Sequence, residues 1–464
     1  MKKINFILFI FVAISNSFAQ EFVMQGMQHV YQSSYSNPAA IPDQKVSFSV
    51  VTGSILQGSL ISPITIKDLT ADGKSEINQK SLERALSSSN NLFGITNSFE
   101  LMHVRAKFKT TYISFDINSI LNFYMFLPKD LSKLTSGNIN PDFTGRTIDL
   151  SSFGLSFMHY NQYALGFARE GKKLNIGVRA KFLQGLANAN IDAKSAKLDF
   201  SDPRNMYDIS LNAEGTFQTS TANFTTGDNA GSALAKYYGN MNNLGFATDL
   251  GLTYKITKGL HVNLSANNIG FITWRSNTNT YDLSSGTIKF GGIDIGRQLF
   301  AGNTLAGNNI TDSISKKLTP KSNSNQAYTT FLIPNFYLSG RYYITPRVDM
   351  SLTLFAMNYR KLFFGGSVGA QVKLGRIFSL SGNVSYMYSS LMTGAGLMVK
   401  LACFQFYGAL DNIYLSGAPL SNDSSNPASN IYIPVDQRMV NIRTGMNWVF
   451  GRNALNQKQP FDKD

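Results

Sequence analysis

The chain is 464 residues long, carries a formal charge of +14, and is 12% aromatic but only 15% charged, with a single cysteine. One cysteine excludes an internal disulfide framework, and the neighbours of Cys403, Leu401, Ala402 and Phe404, suggest a packed thiol. The basic residues are scattered singly instead of clustering with aromatics, which argues against a nucleic-acid partner and for a basic lumen or rim facing anionic headgroups or solutes.

Lys2 and Lys3 precede an apolar run from Phe6 to Ile14, and Ser17-Phe18-Ala19 supplies small residues where a signal peptidase reads. Residues 1–19 are therefore expected to be a cleavable signal peptide, with Gln20 as the first mature residue; position 20 is not a cysteine, so this is no lipoprotein signal. Residues 20–44 form an N-terminal plug-like segment. Its Phe22, Val23, Met24, Met27, Tyr31 and Tyr35 are too apolar to hang in water, which leaves a barrel lumen, a neighbouring protein or the membrane surface to receive them.

From Lys45 onward, polar and apolar residues exchange places every second position. Val46, Phe48 and Val50 alternate with Lys45, Ser47 and Ser49, and Ile176, Val178 and Ala180 with Asn175, Gly177 and Arg179. The same period returns in Val262 to Asn267, Val348 to Leu354, Phe378 to Tyr388 and Val440 to Phe450. Tight turns are read at Gly171-Lys172-Lys173, Thr257-Lys258-Gly259, Thr345-Pro346-Arg347 and Lys373-Leu374-Gly375-Arg376. Long polar excursions run from Asp199 to Pro203, Thr219 to Gly231, Asn303 to Gln326 and Ser416 to Asn430. Helical spacing of Leu82, Ala85 and Leu86 predicts a short insert within Lys74 to Asn91, and Asp130 to Leu134 a helical turn.

This reading gives an all-β protein, a transmembrane antiparallel β-barrel of about 14 strands (range about 12–16) with short helical inserts, spanning residues 45–450 and followed by a polar tail, residues 451–464. The sheet must close, because each unpaired backbone group in hydrocarbon costs several kcal/mol. A soluble secreted sandwich is the competing architecture; aromatic-ended strands and scarce charge fit lipid better. Lumen-facing candidates are Asn263, Ser265, Asn441, Arg443 and Asn447, opposite Ile442, Met446, Trp448 and Phe450.

The segment Tyr31-Gln32-Ser33-Ser34-Tyr35-Ser36-Asn37-Pro38-Ala39-Ala40 resembles the N-terminal Asn-Pro-Ala element of two outer-membrane families: the FadL-like transporters of hydrophobic compounds, and the PorP/SprF proteins associated with type IX secretion and gliding. Lys107 through Asn118, Phe126-Leu127-Pro128-Lys129-Asp130-Leu131 with Gly137-Asn138, and Asn267-Asn268-Ile269-Gly270-Phe271-Ile272-Thr273-Trp274 are more closely similar to a family of outer-membrane barrels known only as a domain of unknown function. The resemblance implies an outer-membrane location and a barrel. By the FadL-like pattern, Asn37, Pro38 and Ala39 would hold the first mature residues inside the lumen, although only about 25 residues precede the first strand, short for a full plug. By the residues alone, Asn37-Pro38 starts a turn before that strand, Asn bonding locally.

Four histidines are the candidate bases: His29, His103, His159 and His261. His261 shares a face with Asn263 and Ser265, but residues four apart on a strand are about 13 Å apart, beyond hydrogen-bond reach. No two histidines or cysteines fall at metal-ligand spacing, the Gly365–Gly369 and Gly394-Ala395-Gly396 stretches lack the lysine and helix of a phosphate loop, and the loop from Asp423 to Asn430 has no calcium-site spacing. The expectation is therefore no catalytic activity, no cofactor and no metal. The function expected is passage of hydrophobic or amphipathic small molecules through an outer-membrane barrel, read as a monomer. The alternative is a non-transporting scaffold that binds an envelope-protein partner in a secretion or gliding apparatus. Outer-membrane lipid, a hydrophobic ligand or an envelope protein are the partners this leaves.

Overall fold

In the computed structural model the described residues are 22–42, 44–50, 56–63, 65, 86, 91–136, 146–200, 208–222, 229–282, 288–291, 325–375, 377–388, 390–411, 417–419, 432–434 and 438–452. The signal peptide, most of the 74–91 insert, most of the 303–326 excursion, most of 416–430 and the tail beyond 452 lie outside them.

The chain begins with helix α1 (Phe22–Gly26) and a 3-10 turn (Tyr31–Tyr35). It continues through β1 (Gln44–Ser49), β2 (Leu56–Ile61), β3 (Leu92–Phe108), β4 (Thr111–Phe126), a 3-10 helix (Lys129–Ser136), β5 (Arg146–Asp149), β6 (Gly154–Arg169), β7 (Leu174–Phe200) and β8 (Asp208–Ser220). Helix α2 (Ala230–Tyr238) follows, then β9 (Leu244–Lys255), β10 (Leu260–Trp274), β11 (Asn279–Asp282), β12 (Ile288–Gly291), β13 (Tyr328–Phe331), β14 (Asn335–Thr345), β15 (Val348–Tyr359) and β16 (Lys361–Leu374). The last strands are β17 (Phe378–Met387), β18 (Ser390–Leu401), β19 (Phe404–Asp411), β20 (Gly417–Pro419), β21 (Tyr432–Pro434) and β22 (Met439–Arg452).

Fourteen antiparallel staves close into a barrel among the described residues. β1 and β2 together form the first stave, and β3, β4, β6, β7, β9, β10, β14 to β19 and β22 the others. Closure is between the first and last: Val46 pairs with Phe450 and Phe48 with Trp448, whose rings stack at 5.4 Å, and higher up Leu56 pairs with Thr444. The remaining strands are not further staves. β7, at 27 residues, is far longer than the ~9–11 a membrane crossing needs; its lower half pairs with β9 and its upper half with β8, so this side of the wall rises beyond the membrane, where β5, β11, β12 and β13 add to it.

The burial pattern decides between lipid and soluble architectures. On β17, Ser379, Ser381, Asn383 and Ser385 are buried while Phe378, Leu380, Val384 and Tyr386 are exposed. β15 repeats this, with Leu352 54% and Leu354 50% exposed against a buried Thr353. Polar faces inward and apolar faces outward around the whole ring are what an apolar solvent selects. No helix among the described residues is long and apolar enough to cross a membrane.

The tight turns close one end, at residues 109–110, 170–173, 256–259, 346–347, 375–377 and 402–403, as the Gly171, Thr257 and Thr345 signals predict. Both chain ends of the barrel, Gln44 and Arg452, pair there. α2 was not foreseen: it starts with Asn229, whose Oδ1 accepts from the Ser232 amide at 2.8 Å, inside a stretch read as loop.

Candidate functional site: the N-terminal segment inside the lumen

Residues 22–42 run through the interior of the barrel, and their path is fixed from all sides. α1 is too short to be stable alone, so the wall must hold it. The Val23 amide donates to Asp411 Oδ1 at 3.0 Å, and Arg341 Nη2 donates to the carbonyls of Gln25 and Gly26 at 2.9 Å each. Phe22 meets Phe355 edge-on at 6.4 Å within an apolar cluster that includes Met357, Phe363, Met387 and Met392. Val23, Met24, Met27 and Val30 pack on Met398, Tyr407 and Ala409.

The middle of the segment is held by polar side chains. Tyr31 OH donates to Asp116 Oδ2 at 3.1 Å, Tyr35 OH to Glu100 Oε2 at 2.5 Å, and Gln32 exchanges bonds with Asn447 at 3.0 and 3.1 Å. Burial, and after it the neighbouring carboxylates, push both phenols well above their ordinary pKa, so each stays a protonated donor. Arg179 and Arg443 lie over the Tyr35 ring at 4.6 and 5.1 Å, a cation–π sandwich. Further on, Ser265 Oγ and Asn267 Nδ2 donate to the Ser36 carbonyl at 2.6 and 2.9 Å, and Arg105 Nη2 to that of Ala40 at 3.0 Å.

Glycines make this close approach geometrically feasible. Gly177 on β7 and Gly251 on β9 are cross-strand partners, and the Asn37-Pro38-Ala39 backbone lies on the flat patch they leave. A Cβ on Gly177 would fall on the Pro38 carbonyl, and one on Gly251 would stand 2.8 Å from the Ala39 nitrogen. Gly394 and Gly396 on β18 do the same under α1: their Cβ atoms would come within 2.5 Å of Val23 and 2.6 Å of the Met27 sulfur respectively.

The lumen around the segment is charged but balanced. Arg179 Nη2 bridges both Asp116 oxygens at 2.7 and 2.8 Å while its Nη1 reaches Asp249 at 2.9 Å, and Lys181 stands 2.6 Å from the other Asp249 oxygen. Arg341 pairs with Asp349 at 2.8 Å and Lys107 with Glu170 at 2.7 Å. With Arg105 and Arg443 on one side and Glu100 and Asp411 on the other, the interior cations and anions among the described residues are equal in number. Of the basic lumen or rim expected from the sequence, the lumen is charge-balanced among these residues, as unpaired charge is costly to keep in a packed interior.

His103 occupies a place no sequence spacing revealed. Its Nε2 lies 2.8 Å from Ser47 Oγ, its Nδ1 2.6 Å from Glu100 Oε1 and 2.8 Å from Ser49 Oγ, and its ring stacks on Tyr31 at 4.0 Å. These are the distances of a hydroxyl, base and acid relay. All four side chains are buried and the Tyr31 ring covers the imidazole, so no substrate reaches Ser47 in this arrangement. The cluster instead ties β1, β3 and the segment together.

Next to Tyr35 and Ser36 a cavity of about 170 Å3 opens. Its lining includes Arg179, Lys181 and Arg443, the amides Asn118, Asn122 and Asn268, and the apolar Ile120 and Leu332. Asn268 enters it from a bulge in β10: its positive φ of 59° is tolerable for asparagine, its amide donates to Asp249 Oδ1 at 2.8 Å, and its Oδ1 accepts from Lys181 at 2.7 Å.

Of the residues singled out beforehand, Asn37 accepts from the Ala39 amide at 3.0 Å through its own side chain, forming a local turn, and donates to Thr253 at 3.3 Å. Asn263 accepts from Thr253 at 2.7 Å and donates to Ser339 at 3.1 Å. Asn441 donates to Asp411 at 2.9 Å, and Asn447 Nδ2 donates to Gln405 at 3.1 Å as well as to Gln32. Asn263, Ser265, Asn441, Arg443 and Asn447 are all buried on inward faces. His261 stands apart, its ring edge-on to Tyr343 at 5.0 Å. Among the described residues no group of acidic, histidine or cysteine side chains is arranged to hold a metal.

A closed, even-numbered antiparallel barrel with an apolar outer belt and a filled polar lumen is an outer-membrane β-barrel protein. The chain belongs to the family described as "Family of unknown function (DUF5723)", whose pattern matches residues 38–411. No curated protein matches it. In structure it is similar to the Ralstonia pickettii toluene transporter TbuX, at 10% identity over 91% of this chain and 95% of that one with a TM-score of 0.43. It is also similar to the Pseudomonas putida toluene transporter TodX, at 9% identity over 95% and 97% with a TM-score of 0.42. A Pseudomonas aeruginosa FadL homologue aligns at 8% identity over 91% and 95%, again at 0.42.

Proposed function

We propose that the protein is a plugged outer-membrane channel that passes small hydrophobic or amphipathic molecules, with residues 22–40 as the plug. The observation that carries this reading is the cavity of about 170 Å3 beside the segment, lined by cationic, neutral polar and apolar side chains together. An apolar cavity of about 150 Å3 accommodates one benzene-sized molecule, so a small amphipathic solute fits this space and a long chain does not. The segment blocks the lumen below the cavity, and α1 caps the apolar cluster of Phe355, Met357 and Phe363. Passage thus requires the segment to shift. Its anchors are hydrogen bonds, glycine contacts and apolar side-chain packing, none of them covalent or strand-paired, and these exchange more readily than the strand-paired wall.

Deleting residues 22–36 and measuring flux of a small aromatic solute into liposomes tests the proposal. A folded, heat-modifiable barrel with raised flux supports it. If flux stays at background while binding to another envelope protein is lost, the segment is a docking element and the scaffold reading replaces the channel.

A further inference from the structure

Among the described residues, an excess of positive charge sits at the end closed by the tight turns. Lys109, Arg169, Lys172, Lys173, Lys258 and Arg347 are all exposed there, distributed over four of the six turns, and Lys45 is exposed where β1 starts. The sequences of those six turns contain one acid, Glu170, which is buried and paired with Lys107. The opposite end is mixed in sign: Asp192 pairs with Arg360, Glu214 with Lys194 and Asp130 with Lys133.

These cations lie within one or two residues of the edge of the apolar belt. Phe108, 61% exposed, adjoins Lys109; Leu174 adjoins Lys173; Ile256, 51% exposed, lies two residues before Lys258, and Phe167 two before Arg169. A long basic side chain one or two residues from the last lipid-facing residue places its charge at headgroup depth. We propose that this rim is a binding surface for the anionic phosphodiester headgroups of phospholipids in the leaflet on the tight-turn side, the periplasmic one in barrels of this kind. Several turns around the circumference meet the bilayer at the same level, which suits a lipid annulus; an acidic protein would meet a patch on the end face. Each cation near an anionic surface favours the charged lipid by about fivefold.

The test uses the full-length protein in nanodiscs of phosphatidylethanolamine with a minority of phosphatidylglycerol, counting co-released lipids by native mass spectrometry. The wild type should retain phosphatidylglycerol at about fivefold or more over its bulk share, and rising salt should reduce the excess. The combined variant Lys109→Gln, Arg169→Gln, Lys172→Gln, Lys173→Gln, Lys258→Gln, Arg347→Gln should return to the bulk ratio. A control with Lys129→Gln, Lys133→Gln, Lys194→Gln and Lys197→Gln at the other end should keep the excess. Heat-modifiable migration checks that each variant is folded, and the wild-type ratio with its salt dependence stands even if the combined variant fails to assemble. A wild type at the bulk ratio, or a folded rim variant that keeps its excess, overturns the proposal. So does salt-sensitive capture of an acidic periplasmic protein by a rim that shows no lipid preference.

Discussion

Gly177→Ala and Gly251→Ala isolate the seat of the N-terminal segment from the barrel itself. Both positions are in regular strands where alanine is acceptable backbone, yet the added methyl on Gly177 would stand 2.5 Å from the Ala39 nitrogen, and that on Gly251 2.9 Å from the Pro38 ring. At Gly177 the atoms struck are backbone of the segment, which has no rotamer to escape into; at Gly251 the Asn37 Oδ1 is struck first, with the Ala39 nitrogen and the Pro38 ring close behind it. Overpacking of this kind costs about 1–3 kcal/mol, and here the cost falls on the seated state alone because the wall loses nothing when the segment lifts. At 1.4 kcal/mol per decade, the unseated population rises about 5- to 150-fold. Gly340→Ala is the matched control, since a Cβ there meets nothing within 4 Å. Planar-bilayer conductance and protease access to residues 22–36 read the seat, and thermal loss of the heat-modifiable band reads the wall. If Gly177→Ala conducts and is cleaved no more than Gly340→Ala, the segment is not seated on these glycines.

Arg179→Met takes the paired cation from the buried Asp116, while Asp249 keeps Lys181, a loss of about 3–5 kcal/mol visible as a lower melting temperature in detergent; adding Asp116→Asn should recover much of it. Leu352→Arg places a charge about halfway along a lipid-facing strand and should cost about 2–4 kcal/mol in folding titrations into lipid, whereas Lys109→Gln at the rim should leave folding stability unchanged. Intact mass of the protein from outer-membrane fractions should correspond to a start at Gln20, and a mass retaining residues 1–19 would refute the signal reading.

The wall was legible because each strand answers to two solvents at once. On β22, Asn441, Arg443 and Asn447 could be assigned inward against Ile442, Met446 and Phe450 from alternation alone, since a strand alternates its faces strictly. What alternation cannot show is which inward residues meet. Ser47 and His103 are brought together only by the register of β1 on β3, and Asp116 meets Asp249 only through Arg179 on the strand between them. The glycines in Asn175, Gly177, Arg179 were visible as gaps in the inward face, but their purpose depends on where Pro38 rests. The period-two pattern read from Val262 ends at Asn267, and nothing in it marks the bulge that follows, since asparagine's tolerance of positive φ leaves no trace in the periodicity. The extramembrane strands β5, β8 and β11 to β13 escaped separation for a related reason. They continue the same sheet upward, so the period-two signal carries no information about where lipid stops.

The central claim is that residues 22–40 close the lumen and must move for passage. A disulfide between Val23→Cys and Gly394→Cys, in a Cys403→Ser background, tests it directly: a Cβ at position 394 lies within 2.5 Å of the Val23 side chain, inside disulfide reach. The account predicts no flux of a small aromatic solute through the oxidised protein and restored flux on reduction. Equal flux in both states would contradict it.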